Sequence, residues 1–457
     1  METATKRNIY TFGLGTVGRD MVYTMVTMYL IFYLTDILGI SSASLWWING
    51  IILVARIFDA LNDPIMGVIV DNTRTKYGKF KPWIAFGAIA SGIVTILLFT
   101  DFGLTGTGFV LVFGILYFLW GIAYTTNDIS YWSMLPSLSM EQQERERIGS
   151  FAKICANVGL FTVVAGLVPL TTMLGNRLGS MAKSYTVFTM ALVVVMWLGQ
   201  AITVFGVQEK KDTFKPEEPT TLKGMLRAIW DNDQLLYTAI SMSLFMIGYV
   251  TTTSFGLYFF KYAYRDEGMY SIFAVILGVS QIGALAVFPL FSKRFSRRAL
   301  YTAATVLVVI GYLVFFFSPM NMLFIGIAGI LMFLGQAFIQ ILMLMFLADT
   351  VEYGQWKLGK RNESVTFSLQ PFINKMGGAI ASGIVGATVI LSGINDAVTP
   401  ADVTSQGLLL MKFAMLILPL FFVLAGYLVY RYKYKIDTAM YQQILTDLQA
   451  RGDLKLG

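Results

Sequence analysis

The sequence predicts an all-α protein that crosses a membrane many times, and three observations carry that prediction. Hydrophobic residues fill 56% of the 457 positions and charged residues only 13%, whereas soluble domains carry about 25% charged residues. Apolar runs of about 20 residues or more, the length a helix needs to cross the hydrocarbon core, recur along the whole chain. Lysine and arginine gather in alternate connections, the asymmetry that orients spanning helices.

The runs resolve into about twelve spans, at 9–38, 44–70, 80–100, 108–136, 148–172, 183–207, 233–262, 268–291, 299–317, 321–348, 364–392 and 404–430. The first follows the short polar stretch Met1 to Asn8 and is too long for the apolar region of a signal peptide, so no cleavable leader is expected. The second ends in Asp71-Asn-Thr-Arg74-Thr-Lys76-Tyr-Gly78-Lys79. A similar short basic connection returns after span eight, as Ser292-Lys293-Arg294-Phe-Ser-Arg297-Arg298. Spans three to six lead to the longest polar segment, 208–232, with Lys210, Lys211, Asp212, Lys215, Pro216, Glu217, Glu218 and Pro219. It reads as a linker between an N-terminal six-helix bundle (1–207) and a C-terminal one (233–432), before a tail at 433–457. Parallel six-helix repeats of this kind place a substrate site near the bilayer midplane between them.

Of the 34 lysines and arginines, 25 lie at the N-terminus, in connections after even-numbered spans, and in the tail. Both termini are therefore expected in the cytoplasm, at a bacterial inner membrane. The other connections hold only Arg177, Lys183, Lys261 and Arg265. Topology thus accounts for most of the net charge of +7, and nucleic acid is not an expected partner. The single cysteine, Cys155, excludes an intramolecular disulfide. The absence of histidine removes the usual general base, the commonest metal ligand and the Ser-His and Cys-His nucleophile pairs. Neither a cofactor nor an enzymatic activity is expected, and no ring-forming channel filter motif is visible.

Charges inside the spans carry the chemistry. An ionisable group at bilayer depth persists only where it is paired, hydrated or used. Span two reads Arg56-Ile-Phe-Asp59-Ala-Leu-Asn62-Asp63-Pro64. Asp59 and Asp63 fall one turn apart on one face, with Arg56 and Asn62 flanking it. Two carboxylates about 6 Å apart along the axis repel in low dielectric unless a cation or proton lies between them. Pro64 frees a backbone carbonyl nearby, an additional oxygen for a hard cation. The competing reading is a structural Arg56–Asp59 pair with a solvated Asp63; it leaves one acid uncompensated. Span one carries Arg19-Asp20 among glycines, and span four carries Asp128 and Trp132 four residues apart on one face. A carboxylate beside an indole suits a sugar: the acid accepts from hydroxyls while the ring covers the C–H face. Lys153 lies in span five near its cytoplasmic end, and Lys375 in span eleven requires an acidic partner.

These segments resemble the glycoside–pentoside–hexuronide:cation symporter family of the major facilitator superfamily. The resemblance rests on Arg56-x-x-Asp59-Ala-x-Asn62-Asp63-Pro64-x-Met66-Gly67, on Arg74 through Gly78-Lys79-Phe80-Lys81-Pro82-Trp83, and on Asp128-x-x-x-Trp132-Ser133-x-x-Pro136. Ala348-Asp349-Thr350-Val351-Glu352-Tyr353-Gly354 and Lys375 match as well. It covers nearly the whole chain. It implies twelve helices in two bundles, alternating access, and sugar uptake driven by Na⁺, Li⁺ or H⁺, by a protein that works as a monomer. It implies that Asp59 and Asp63 form the cation site, holding Na⁺ if coupling is to sodium, with Asn62 and Thr125 beside them. It implies that Asp20, Asp128 and Trp132 bind sugar, with Arg19 and Lys153 next to them. Arg19 replaces a family lysine and Lys153 a family arginine, which keeps charge and changes donor geometry. Pro371 stands where the family's type member has a threonine, so one hydroxyl contact is missing. Asp71, Arg74, Asp349, Glu352 and Arg361 are expected as a cytoplasmic gate. After the amphiphilic tail from Tyr441 to Gly457, the regulatory domain that some relatives carry is not expected.

The charge pattern suggests a coupling device. Excess negative charge at Asp59 and Asp63, where Arg56 is a charge partner, would draw Lys375 toward them or toward Asp128 until a cation releases it and frees Asp20 and Asp128 for sugar hydroxyls. The alternative is a carrier of an amphiphile or drug-like molecule with the same fold and a Met- and Phe-lined cavity; the Asp128–Trp132 pair disfavours it.

Overall fold

The computed structural model describes residues 3–139, 141–208, 227, 229–266, 268–394, 397 and 399–453. The linker read at 208–232 lies mostly outside them, including every residue named in it above. The described chain is helical, with no strand among the described residues. Twelve long helices carry it: α1 (Thr3–Phe32), α2 (Ser42–Asp71), α3 (Lys81–Leu98), α4 (Gly106–Ser133), α5 (Gln142–Leu178), α6 (Met181–Gly206), α7 (Asp233–Tyr258), α8 (Met269–Ser292), α9 (Arg297–Phe317), α10 (Met322–Leu358), α11 (Glu363–Leu391) and α12 (Ser405–Lys433). Among the described residues, ten helices are long and apolar enough to cross a membrane. The other two, α1 and α11, are equally long and carry Arg19–Asp20 and Lys375.

Six of the twelve long helices start at side chains that take up N–H groups the helix cannot bond itself. Ser41 accepts from Ser44, Ser180 from Lys183, Asn232 from Leu235, Ser296 from Ala299, Asn321 from Leu323 and Thr404 from Gly407. Two helices outrun the spans read from hydropathy. The runs at 148–172 and 321–348 are the cores of α5 and α10, which continue through Gln142 to Arg147 and Asp349 to Lys357. Charges end the apolar pattern there without ending the helix, because they find partners. Arg145 is fully buried and donates to Ser139 O at 2.6 Å; Glu352 is fully buried and pairs with Arg361 at 3.0 Å. The tail also forms a helix, α13 (Thr438–Ala450), which buries Tyr441, Ile444, Leu445 and Leu448. Trp356 Nε1 donates to Asp447 Oδ2 at 2.8 Å and ties it to α10.

The described residues form two compact units. The first runs to residue 208 and includes Asn362–Ser368, which opens α11; the second holds the rest. In the first, α1 packs between α5 and α6. Gly18 lies against the Met196 backbone and Gly159 against Val17 O, approaches that leave no room for a Cβ. Buried polar groups lock this arrangement. Asn127 donates to Ile84 O (2.9 Å) and Gln200 Oε1 (2.8 Å), and Gln200 donates to Gly15 O (2.6 Å). Thr16 reaches Ala152 O at 2.8 Å. The part of α1 holding Arg19 and Asp20 is thereby fixed against α4, α5 and α6. In the second unit α10 packs on α8 and α9, and α7 pairs with α12 through Ser241 to Gly426 O (2.8 Å) and Thr252 to Met415 O (2.9 Å).

Candidate functional site

The first unit gathers the residues expected to bind sugar. Arg19 is sealed, its side chain 3% exposed, and it holds both carboxylates: Nη2 to Asp20 at 3.1 Å and Nη1 to Asp128 at 2.9 Å. The carboxylates keep 23% and 19% exposure, so their outer oxygens are open while the charge behind them is buried. The guanidinium also lies 4.9 Å from the Tyr131 ring and 5.3 Å from that of Trp132, and Lys153 Nζ lies 4.5 Å from Trp132. Trp132 is buried, so in this structure its ring backs the two cations and is not open to a guest. Tyr23 is the exposed ring beside them; it stacks 4.9 Å from the half-buried Tyr124, which in turn stacks 5.4 Å from Trp120. Tyr23 and Tyr124 lie within electrostatic reach of Asp20 and Asp128. The sequence reading gave them no role, although Tyr23 stands three residues after Asp20 and Tyr124 four before Asp128.

Among the cation candidates, Asp63 is fully buried and accepts from Thr125 Oγ1 at 3.1 Å. Asp59 is half-buried; a Cβ at Gly121 would lie 2.6 Å from its Oδ1, so α2 and α4 approach closely here. Asn62 is half-buried and its Nδ2 makes no hydrogen bond. Arg56 is exposed and lies near Tyr23 and Tyr117; Asp59 also lies near Tyr117. No group of three or more acidic or thiol side chains suited to a metal occurs among the described residues. Asp59 and Asp63 both approach α4, the first at Gly121 and the second at Thr125. Lys375 is half-buried on α11 and belongs to the second unit, whereas Asp59, Asp63 and Asp128 belong to the first.

The expected gate residues fall into separate clusters. Asp71 is buried and caps α11, accepting from Ser364 N (3.0 Å) and Val365 N (2.9 Å). Lys79 pairs with Asp71 at 2.6 Å and with Glu363 at 3.4 Å. Arg74 is exposed and donates to Asp71 O at 2.8 Å. In the second unit Arg297 pairs with Asp349, and Arg361 with Glu352. Lys79, Glu363 and Arg297 were missed as members. Lys79 and Arg297 come from the two basic connections at equivalent places in the halves, whose charge the sequence reading assigns to topology alone.

A model of the MFS/sugar transport protein family matches residues 11–438. The chain belongs to that family. The resemblance carried by the ordered motifs of α2, α4 and α10 therefore holds. A lactose permease of Leuconostoc lactis is 28% identical over 96% of this chain and 71% of its own length. A raffinose carrier protein of Pediococcus pentosaceus is 29% identical over 96% and 70%. An isoprimeverose transporter of Lactiplantibacillus pentosus is 27% identical over 84% and 80%. Among solved structures, an Escherichia coli fucose:proton symporter superposes with a TM-score of 0.65 at 12% identity, covering 92% of this chain and 98% of that one. A bacterial homologue of the iron transporter ferroportin gives 0.65 at 14% identity, over 94% and 99%. At such identity these likenesses establish the fold, which is that of the major facilitator superfamily.

Proposed function

We propose that the protein is a secondary active symporter that couples inward flow of a monovalent cation, Na⁺, Li⁺ or H⁺, to uptake of a sugar or glycoside by alternating access. The observation that carries this reading is one buried arginine bridging two half-open carboxylates. Asp20 and Asp128 are matched in charge by Arg19 and Lys153, so the guest need bring no charge of its own. The outer oxygens of the two acids accept from sugar hydroxyls, as charge-assisted bonds. Tyr23, exposed and backed by Tyr124, offers its ring to the C–H side of the sugar. Asp59, Asp63 and Thr125 take the cation, and Asn62 Nδ2 is a donor left over for a water or the sugar. The curated relatives named for lactose, raffinose and isoprimeverose support a glycoside as cargo.

On this reading the protein works as a monomer in a bacterial inner membrane, with Asp71, Arg74, Lys79, Glu363 and the Arg297–Asp349 and Arg361–Glu352 pairs at its cytoplasmic side. Uptake of radiolabelled glycosides into vesicles, with Na⁺ and pH gradients imposed separately, tests the reading. Accumulation of at least one glycoside under one gradient is expected. Failure of every glycoside under both, with lysolipids or detergents binding instead, would turn the assignment to an amphiphile carrier.

A further inference from the structure

The middle of the second unit holds another polar cluster, and it contains no charge. Gln281 Nε2 of α8 donates to the Tyr249 hydroxyl of α7 at 3.0 Å. Gln336 Nε2 of α10 donates to the Tyr312 hydroxyl of α9 at 3.3 Å. That hydroxyl pairs with Thr252 Oγ1 of α7 at 2.6 Å. Four neighbouring helices thus meet through phenols, amides and a hydroxyl inside an otherwise apolar bundle.

The cluster is not closed. Gln336 is fully buried and its Oε1 has no hydrogen-bond partner; Gln340, one turn further along α10, turns its buried Nε2 toward the Tyr249 hydroxyl, which already accepts from Gln281 at 3.0 Å, so that contact is long and weakly held. A buried polar atom left unmet costs more than an ordinary interhelical hydrogen bond gains. Polar groups kept in spans on such terms mark substrate paths. Tyr249 and Gln340 are half-buried, so the cluster is reachable from outside the bundle core. An unmet acceptor one helical turn from a weakly engaged donor is the complement of a hydroxyl group, which donates once and accepts as well. The lack of charge in the cluster selects a neutral guest.

We propose that Gln336 and Gln340, positioned by Tyr249, Gln281 and Tyr312, form a subsite for one hydroxyl of the carried sugar, wholly within the second unit. Gln336 Oε1 accepts the hydroxyl proton and Gln340 Nε2 donates to its oxygen. The proposal rests on the sugar-symport reading and deepens it. Sites built around a hydroxyl reject the analogue that lacks it far better than apolar pockets discriminate by size. The subsite therefore sets which sugars are accepted, while the Asp20–Asp128 pair supplies the charged contacts.

The test is a panel of monodeoxy analogues of the best-bound glycoside, titrated by calorimetry against the full-length protein, Gln340→Leu and Tyr249→Phe. In the wild type one analogue should bind about tenfold or more weaker than its parent. In Gln340→Leu the parent should fall to that level and the difference at that position alone should vanish, the other deficits persisting. Tyr249→Phe, which removes one oxygen and keeps the ring, should reduce the same deficit in part. A uniform shift of all analogues in Gln340→Leu would mean that the cluster holds only a structural water, and overturns the subsite. So does a wild-type profile unchanged in both variants. A wild-type protein that binds no glycoside overturns the symport reading and the subsite together.

Discussion

A guanidinium can hold two carboxylates because its nitrogens are fixed in a plane, whereas an ammonium is a point charge on a flexible stem. Arg19 uses that fork on Asp20 and Asp128. Arg19→Lys keeps the charge and can span only one acid well. The loss of one charge-assisted contact, about 1.5–3 kcal/mol, predicts sugar binding weakened by about 10- to 100-fold in calorimetry, with cation binding retained. Thr125→Val removes the hydroxyl that donates to Asp63. Cation affinity should change by about 2- to 10-fold, the equivalent of about 0.5–1.5 kcal/mol, while sugar affinity without added cation stays put; an unaltered cation titration would remove Thr125 from the site. At this scale the sequence was legible where charge sits inside an apolar run, because the bilayer makes such residues stand out: Arg19, Asp20, Asp59, Asp63 and Asp128. Partnerships were not legible. Lys79 and Arg297 lie in connections whose charge topology already explains, and Tyr23 and Tyr124 are two among 23 tyrosines with no pattern to separate them.

Among the elements, α11 has the most dependent beginning. Its first turn is capped from another helix by Asp71, whose two oxygens take the Ser364 and Val365 N–H groups from the end of α2. A carboxylate there also meets the positive end of the helix dipole, with Lys79 balancing it. Asp71→Ala should cost about 1–2 kcal/mol locally, so amide exchange at Ser364 and Val365 should quicken by about 5- to 30-fold. Amides in the middle of α4 should not change; equal exchange at 364 and 365 in both proteins would show that the cap does not hold the helix start. The existence and order of the spans were readable because a crossing helix needs a fixed length of apolar chain. Their ends were not, as α5 and α10 show: buried partners such as Arg361 for Glu352 sustain a helix past the point where hydropathy stops. The helix in the tail was hidden for the related reason that Tyr441, Ile444 and Leu448 form a narrow stripe that gains meaning only against α10.

For the whole molecule, symport requires that cation and sugar each alter the other's affinity, and linkage makes the two factors equal. The two proposed sites are close enough in the first unit for this to be local: α4 would contribute Thr125 to one and Asp128 to the other, and its Tyr124 ring stacks on Tyr23 of α1. A cation drawn to Asp59 and Asp63 would fix α2 against α4 and, through α4, the distance from Asp128 to Arg19. Sugar affinity should therefore rise by about 5- to 150-fold when the coupling cation is added. Cation affinity should rise by the same factor when sugar is added. Asp59→Asn should abolish both changes together and leave sugar binding at the cation-free level, since Asp20, Asp128 and Arg19 are untouched. Two calorimetric titrations per ligand, on the wild type and the variant, decide it. Unequal factors in the wild type would mean that a further ligand is taken up with one of the two. A cation effect that survives in Asp59→Asn would move the coupling site away from α2.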